Sequence, residues 1–527
     1  MTSCLHPYGA MPLGNALFAS KTLLQVRSNG LGVLKILTDE SMLETLVFLN
    51  GIDLARFSQT SHICYVFAMT SDLWRDLTLR LVNVNIRFNR TWRDTYVEHY
   101  VKSQSREFNP VYIHSPIIVQ GVYSDLLHRL WACHSFDIEA LCQGFYTNND
   151  IAEVDASSLD VDTFIRDYEA HNIPLVIKGG ARHWPALTKW TADYLTDVCS
   201  SAEFRATSAT APEAVSFTMD EYFDYSRQIR EEVPLYLFER QFLKNVPQLA
   251  NDFSIPVYFD SSTTPGTDLF RVLGDTARPD YRWLVAGPKR SGSIFHIDPN
   301  QTNAWNVSIT GRKKWIFYPP HVCPPGVVAS DDGGDVTVPL STGEWLLTFW
   351  TYHLEARRDP DLSRRPVEVI AYPGDVVFVP HNWWHMVINL DECIAITQNY
   401  VSTSNLSDCL RFLREKTDQI SGVRDRPGEA VTAETIYDEF VGKLTLALPN
   451  ETIQHAINES YILPPVIKRK GRNNNCNILS SNKRNRRDKT RHNIIHINNS
   501  TDENDINSDT DKTKNTNNNT FSFSFSM

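Results

Sequence analysis

Eight short apolar runs, each closed by a turn, constrain this chain more than any other feature. They are IPLVIKGG, YRWLVAG, NAWNVSIT, KKWIFYPP, VEVIAYPG, DVVFVP, HMVINL and CIAITQNYV, spread between Ile151 and Val401. Many brief, turn-bounded strands point to a sandwich or barrel rather than to alternating βαβ units. Pro373-Gly374-Asp375 separates two of the runs, and Asp391-Glu392 links the last two; both are tight-turn sequences. Strand side chains alternate between faces. Asn306, Ser308 and Thr310 therefore share one face while Val307 and Ile309 take the other, and Lys313 goes with Trp315 and Phe317. In the last run Ala395, Thr397 and Asn399 alternate with Ile394 and Ile396. A polar face turned into a barrel needs an occupant, because buried polar groups must be paired.

The same region carries candidate metal ligands. His296 and Asp298 are one residue apart and project from the same face of a strand, and His385 follows 89 residues after His296. Two imidazoles and one carboxylate make the facial triad of a non-haem iron site, which leaves coordination positions for a bidentate 2-oxo acid and dioxygen. An isolated His-x-Asp is common by chance, and both histidines would then be ordinary strand residues. Its pairing with a later histidine across a strand-rich stretch favours the metal reading. A dicarboxylate would also suit the polar face, with a lysine ammonium and a hydroxyl at its remote end. Lys313 and Lys314 both offer that ammonium, and strand parity favours Lys313.

Residues from about Ile151 to Val401 resemble the JmjC-domain oxygenases. Within them they are most similar to the nuclear lysyl hydroxylase and arginine demethylase subgroup once called phosphatidylserine receptors. The resemblance rests on PLYLFERQF, DYRWLVAGPKRSGSIFHIDPNQTNAWNVSITGRKKWIFYPP, the DDGG and EWLLTFW insert, and PGDVVFVPHNWWHMVINLDECIAITQNY. It implies an α+β chain built on a double-stranded β-helix, the cupin or jelly-roll fold. It implies Fe(II) held by His296, Asp298 and His385, with 2-oxoglutarate and O2 as co-substrates. It implies 2-oxoglutarate contacts from Tyr236, Asn306, Lys313 and Thr397, with Ser293 supplying a hydroxyl where relatives have threonine; Asn399 shares the inward face of Thr397. One departure is His381-Asn382, where relatives have glycine before the tryptophan pair; an altered rim is expected there. The implied reaction is hydroxylation or demethylation of lysine or arginine side chains in a protein substrate, such as a histone or an RNA-processing factor.

Outside this region the sequence predicts helices. Residues 1–35 have little pattern and are expected to be poorly ordered; no acid precedes Asp39, so a mitochondrial presequence is a minor alternative. Residues 36–82 show apolar positions at three- and four-residue steps, broken at Asn50-Gly51. They resemble an F-box, which implies docking to the adaptor of an SCF ubiquitin ligase, although Leu37-Thr38 stands where Leu-Pro is usual. A helical prelude packed on the barrel is the other reading. Residues 83–150 read as a helical connector, 151–402 as the barrel, 403–466 as C-terminal helices and 467–527 as a disordered Asn-rich tail. In the tail, Lys483 to Lys489 (KRNRRDK) is either a nuclear-localisation signal or a solvated charge run.

Charge and composition bound the function classes. Of a net −11, residues 468–491 contribute +9 and residues 502–514 contribute −3, leaving −17 on the rest. An acidic body does not suit dedicated nucleic-acid binding, for which only the basic tail is available, but it suits a basic protein substrate. Asp331, Asp332, Asp335 and Glu344 of the insert either line a cleft for that substrate or form a solvated acidic loop. No stretch approaches the roughly 18 apolar residues of a membrane span. Nine scattered cysteines without a CxxC pair suit a reducing compartment. A nuclear or nucleocytoplasmic oxygenase is therefore expected, and a non-enzymatic F-box adaptor using the JmjC fold for target binding is the alternative. A storage or isomerase cupin would have no need of Lys313.

Overall fold

The apolar runs form two facing sheets in the computed structural model, which describes residues 10–11, 21–81, 86–104, 117–118, 122–208, 211–330, 332–423 and 431–462. The strands that matter here are β1 (Ala152–Asp155), β2 (Leu175–Lys178), β3 (Phe204–Ser208), β4 (Ala211–Phe217), β5 (Tyr236–Glu239), β6 (Arg282–Gly287) and β7 (Gly292–His296). They continue with β8 (Asn303–Thr310), β9 (Lys313–Tyr318), β10 (Val367–Ala371), β11 (Val376–Val379), β12 (Trp384–Asn389) and β13 (Cys393–Tyr400). A nine-stranded sheet has the order β1-β2-β11-β8-β13-β6-β5-β3-β4, and a four-stranded sheet has the order β10-β9-β12-β7. Except for the parallel β1–β2 pair, neighbours run antiparallel. This is the expected jelly roll, within an α+β chain.

Alternation places one set of residues between the sheets. Trp315 and Phe317 of β9 stack at 5.6 Å in the same layer as Val369, Val377, Val379 and Val387. Close approach of β7 to β12 depends on Gly292. Its φ is +149°, and an added Cβ would lie 2.0 Å from the Val387 carbonyl oxygen. Only glycine fits there.

The N-terminal region is helical, as expected: α1 (Lys21–Leu31), α2 (Asp39–Leu46), α3 (Gly51–Ser58), α4 (His62–Ala68), α5 (Ser71–Leu81) and α6 (Trp92–Ser103). The local starts are chemical. Thr38, Asn50, Ser61 and Thr91 each accept a hydrogen bond from a backbone N–H one turn on, and so cap α2, α3, α4 and α6. Asn50-Gly51, the predicted break, is thus a cap between helices.

Within residues 1–35, where the sequence has little pattern, Lys21–Leu31 form a helix. The cause is tertiary rather than periodic. Gly30 packs so closely on Ile63 that a Cβ would come within 2.5 Å of its Cγ1, Leu31 is buried, and Arg27 pairs with Asp39 at 2.6 Å. Residues 36–82 do not close a core of their own. Met42, Leu54, Phe67 and Trp74 belong to one apolar cluster that runs on through Tyr225 and Leu237 to Trp305 and Phe378 of the barrel.

Further helices are α7 (Asp125–Ser135), α8 (Met219–Gln228), α9 (Thr342–Ala356), α10 (Leu406–Glu415), α11 (Ile436–Lys443) and α12 (Asn450–Ser460). The last three bury Leu410, Leu413, Phe440 and Ile453 in a separate cluster. Among the described residues no helix is long and apolar enough to cross a membrane. The basic cluster and the Asn-rich tail lie outside the described residues.

Candidate iron and 2-oxoglutarate site

β7 and β12 are paired with His385 directly opposite His296, so the two imidazoles face each other with ring centroids 4.1 Å apart. Asp298 follows on the turn out of β7, and its Oδ1 lies 3.9 Å from His385 Nε2. One ligand atom from each of the three residues falls within 4.8 Å of the others. Backbone carbonyls fix the ring orientations: His296 Nδ1 meets Ile294 O at 2.8 Å and His385 Nδ1 meets Trp383 O at 3.0 Å. Nδ1 is therefore the protonated nitrogen, and Nε2 carries the lone pair.

Burial, and for His296 also the neighbouring His385, lowers both imidazoles to about 4, so they are neutral at physiological pH. Burial raises the Asp298 carboxyl to about 6 against the opposing pull of His296. Asp298 Oδ2 is buried and has no hydrogen-bond donor. Two neutral imidazoles beside an orphaned carboxylate oxygen fit a divalent cation, the ligand set of a facial iron site. The loop behind Asp298 is held by left-handed Asn300 (φ 55°), whose amide exchanges hydrogen bonds of 3.0 and 3.1 Å with the backbone of Ser421.

These residues stand in an open-mouthed cavity. It is also lined by every residue the sequence suggested for the co-substrate: Tyr236, Ser293, Asn306, Lys313, Thr397 and Asn399. Lys313 is buried, and its Nζ donates to the Tyr236 hydroxyl at 3.2 Å. Thr397 lies across from Asn306 and donates to Trp305 O at 3.0 Å, which leaves its oxygen lone pairs for a ligand. Asn306 Oδ1 is buried without a partner. The adjacent lysines are buried on opposite faces, with Lys313 in the cavity. Lys314 points away from the cavity into a network in which its Nζ lies 2.8 Å from Glu368, with His353 on the same carboxylate at 2.7 Å and Arg357 beside it. Burial raises the Glu368 carboxyl, but the His353 hydrogen bond and the Lys314 charge outweigh it and hold the group down at about 2.

Two further stretches lie away from the cavity. His381 is not among the residues that line the cavity. It is buried with Nε2 3.1 Å from Asp408, while Asn382 takes the left-handed φ of +64° that glycine favours and asparagine tolerates. Of the acids of the insert, Asp332, Asp335 and Glu344 do not line the cavity, which leaves the solvated-loop alternative. Asp332 accepts from Ser330 at 2.6 Å, Asp335 closes a small hairpin, and Glu344 sits at the start of α9, 3.6 Å from Arg129; Asp331 is outside the described residues.

Sequence reasoning missed Phe238, Arg240, Trp283, and Asp280 with Ser421 and Gly422, all of which line the cavity. Phe238 and Trp283 pack at 5.3 Å, and Arg240 pairs with Asp280. Parity along YRWLVAG would have found Trp283. Ser421 and Gly422 come from a loop that no local pattern ties to the barrel.

A cupin-like domain model matches residues 161–405. The chain is 40% identical over 449 residues to the arginine-specific demethylase JMJ22 of Arabidopsis thaliana, covering 85% of this chain and 82% of that protein. It is 35% identical over 260 residues to the bifunctional arginine demethylase and lysyl-hydroxylase psr-1 of Caenorhabditis elegans, covering 49% and 62% respectively. It is also 35% identical over 177 residues to the 2-oxoglutarate and iron-dependent oxygenase JMJD4 of Mus musculus, covering 33% and 38%. With a jelly roll around a His-Asp-His cluster and a relative matched over most of both lengths, the chain belongs to the cupin-like JmjC family of iron- and 2-oxoglutarate-dependent oxygenases.

Proposed function

We propose that the chain oxidises arginine or lysine side chains of proteins, with an N-methylated arginine as the first candidate substrate. His296, Asp298 and His385 are the proposed iron ligands. Lys313 and Tyr236, with Thr397, Asn306 and Ser293, are the proposed 2-oxoglutarate contacts. The observation that carries the reading is Lys313: a buried ammonium with a tyrosine hydroxyl at 3.2 Å, in the same cavity as the three ligand residues. The substrate class is supported by the activities for which the relatives are named, above all the arginine-specific demethylase that shares most of its length with this chain.

With dioxygen, bound iron and 2-oxoglutarate supply C–H hydroxylation coupled to decarboxylation of the 2-oxo acid to succinate. The protein's residues do the rest. Lys313 and Tyr236 would hold a carboxylate of the 2-oxo acid by charge-assisted hydrogen bonds. Trp315, Val285 and Val387 give the cavity an apolar wall, and lower local polarity would strengthen those contacts. The backbone carbonyls of Ile294 and Trp383 hold both imidazoles in one tautomer. Phe238, Trp283 and the Arg240–Asp280 pair form the outer wall, where a substrate side chain would lie. Hydroxylation of an N-methyl carbon gives a carbinolamine that releases formaldehyde, whereas hydroxylation of a side-chain methylene leaves a stable alcohol.

The test is mass spectrometry of methylated histone-tail and splicing-factor peptides after incubation with the iron-loaded chain. A methyl lost with release of formaldehyde supports demethylation, and a gained oxygen supports hydroxylation. Peptides unchanged while 2-oxoglutarate is consumed would refute the substrate class.

Docking of a ubiquitin-ligase adaptor on residues 36–82 is a separate proposal, supported by Ile36 and Phe48, which are 83% and 89% exposed. Co-purification with a recombinant adaptor, lost on Phe48→Asp, tests it. A nuclear location is likewise proposed, from Lys483 to Lys489. Neutralising that cluster in a fluorescent fusion should abolish nuclear accumulation.

A further inference from the structure

Tyr236 sits on a strand of only four residues, and its ring packs over Gly287, where a Cβ would come within 2.4 Å of Tyr236 Cδ2. Its backbone is pinned on both sides by the side chains of one helix. The Leu235 N–H donates to the Tyr225 hydroxyl at 2.8 Å, and the Leu237 N–H donates to the Tyr222 hydroxyl at 3.1 Å. The Tyr222 hydroxyl in turn donates to Ala286 O of β6 at 2.6 Å. Residues 222 and 225 are three apart on α8, so both tyrosines leave the same helix face toward β5.

That helix is held from its other side by the N-terminal region. Phe88 and Trp92 pack on the Tyr225 ring at 5.0 and 5.8 Å. The Arg90 N–H donates to Gln228 Oε1 at 2.9 Å, and Gln228 Nε2 donates to Phe88 O at 3.2 Å. The segment between α8 and β5 is clamped as well. The Ser71 hydroxyl of α5 donates to Glu231, and Arg129 of α7 donates to Glu232 at 3.0 Å. A continuous set of contacts thus runs from the N-terminal helices through Tyr225 to the residue that meets Lys313.

We propose that Tyr225, backed by Phe88 and Trp92, is a positioning residue for Tyr236, and that the N-terminal helices are a working part of the co-substrate site rather than a detachable module. The proposal rests on the reading of Tyr236 as a 2-oxoglutarate contact. Tyr225→Phe keeps the ring packing and removes only the acceptor for the Leu235 amide. One hydrogen bond of ordinary net strength then translates into about three- to tenfold weaker 2-oxoglutarate binding.

The experiment uses the full chain with three readouts: 2-oxoglutarate titration of the Mn(II)-loaded protein by calorimetry, KM and kcat for 2-oxoglutarate turnover with Fe(II), and hydrogen exchange at Leu235 and Leu237. Expected for Tyr225→Phe are weaker binding, a raised KM, a near-normal kcat at saturation and faster exchange at Leu235. Phe88→Leu should move binding and KM in the same direction by a smaller factor. Tyr236→Phe serves as the reference. If it raises KM while Tyr225→Phe lowers thermal stability and leaves KM and binding unchanged, the positioning role alone is overturned. If Tyr236→Phe itself leaves 2-oxoglutarate binding unchanged, the assignment of that contact falls, and the positioning role with it.

Discussion

Replacing Lys313 by methionine separates binding from folding more cleanly than any other single change. The lysine is buried at the inner end of the cavity, with the Tyr236 hydroxyl 3.2 Å from its Nζ. Methionine fills a similar volume without charge, so the carboxylate that Lys313 would meet keeps one hydroxyl and loses its counter-charge. Removing one member of a desolvated charge pair costs about 2–5 kcal/mol. At about 1.4 kcal/mol per decade this is roughly 30- to 4000-fold weaker 2-oxoglutarate binding. Without ligand the sign reverses, because a buried ammonium is itself costly to desolvate. The melting temperature of Lys313→Met should therefore stay level or rise.

Lys314→Met is the matched control on the opposite face. It strands Glu368 with less compensation and should cost about 3–5 kcal/mol of stability, while leaving co-substrate affinity intact. Calorimetric titration with 2-oxoglutarate and thermal unfolding of both variants check the pair. Lys313→Met binding within about twofold of the parent would show that the dicarboxylate is held elsewhere.

Asp298→Asn should abolish iron retention, read as metal content of the purified chain, because a neutral amide replaces the only carboxylate in the ligand set. Glu368→Gln should remove acid-dependent stability. The group's folded value of about 2 lies below the ordinary 4.5, so its contribution is fully present above pH 4.5 and lost as the pH falls toward 2. The difference converts to at most about 3 kcal/mol, and denaturant melts from about pH 5 down to about pH 2 should converge on the variant. Gly292→Ala should push β7 off β12, lowering stability by more than about 3 kcal/mol and iron uptake along with it; a normal melt would refute the close-approach argument.

The barrel was readable because strand parity and metal chemistry constrain neighbours in sequence. Thr397 with Asn399 and Lys313 against Lys314 follow from a period of two, whereas Asp298 reaches the site from the turn just past the end of β7 rather than from the strand itself, and the cavity contains each predicted member. What escaped was whatever depends on pieces far apart in the chain. Helix α1 is weakly patterned, and its order comes from Gly30 against Ile63 and Arg27 against Asp39. Asp280 and Gly422 meet through a backbone hydrogen bond of 3.2 Å between two loops, a contact with no local signature. The acids of the insert were left open between two readings for the opposite reason: charge suggests a partner but not a location, and Glu344 is used at a helix start.

Because His296 and His385 occupy opposed positions on adjacent strands, the paired imidazoles exist only once β7 and β12 have zipped in a single alignment. A slip of one residue would send the two rings to opposite sides of the sheet. Partly assembled chains therefore have little to offer an ion, and iron captured by the finished barrel would shift the folding balance toward it by mass action. Metal supply and the lifetime of the folded enzyme in a cell are in this way tied together by the alignment of two strands.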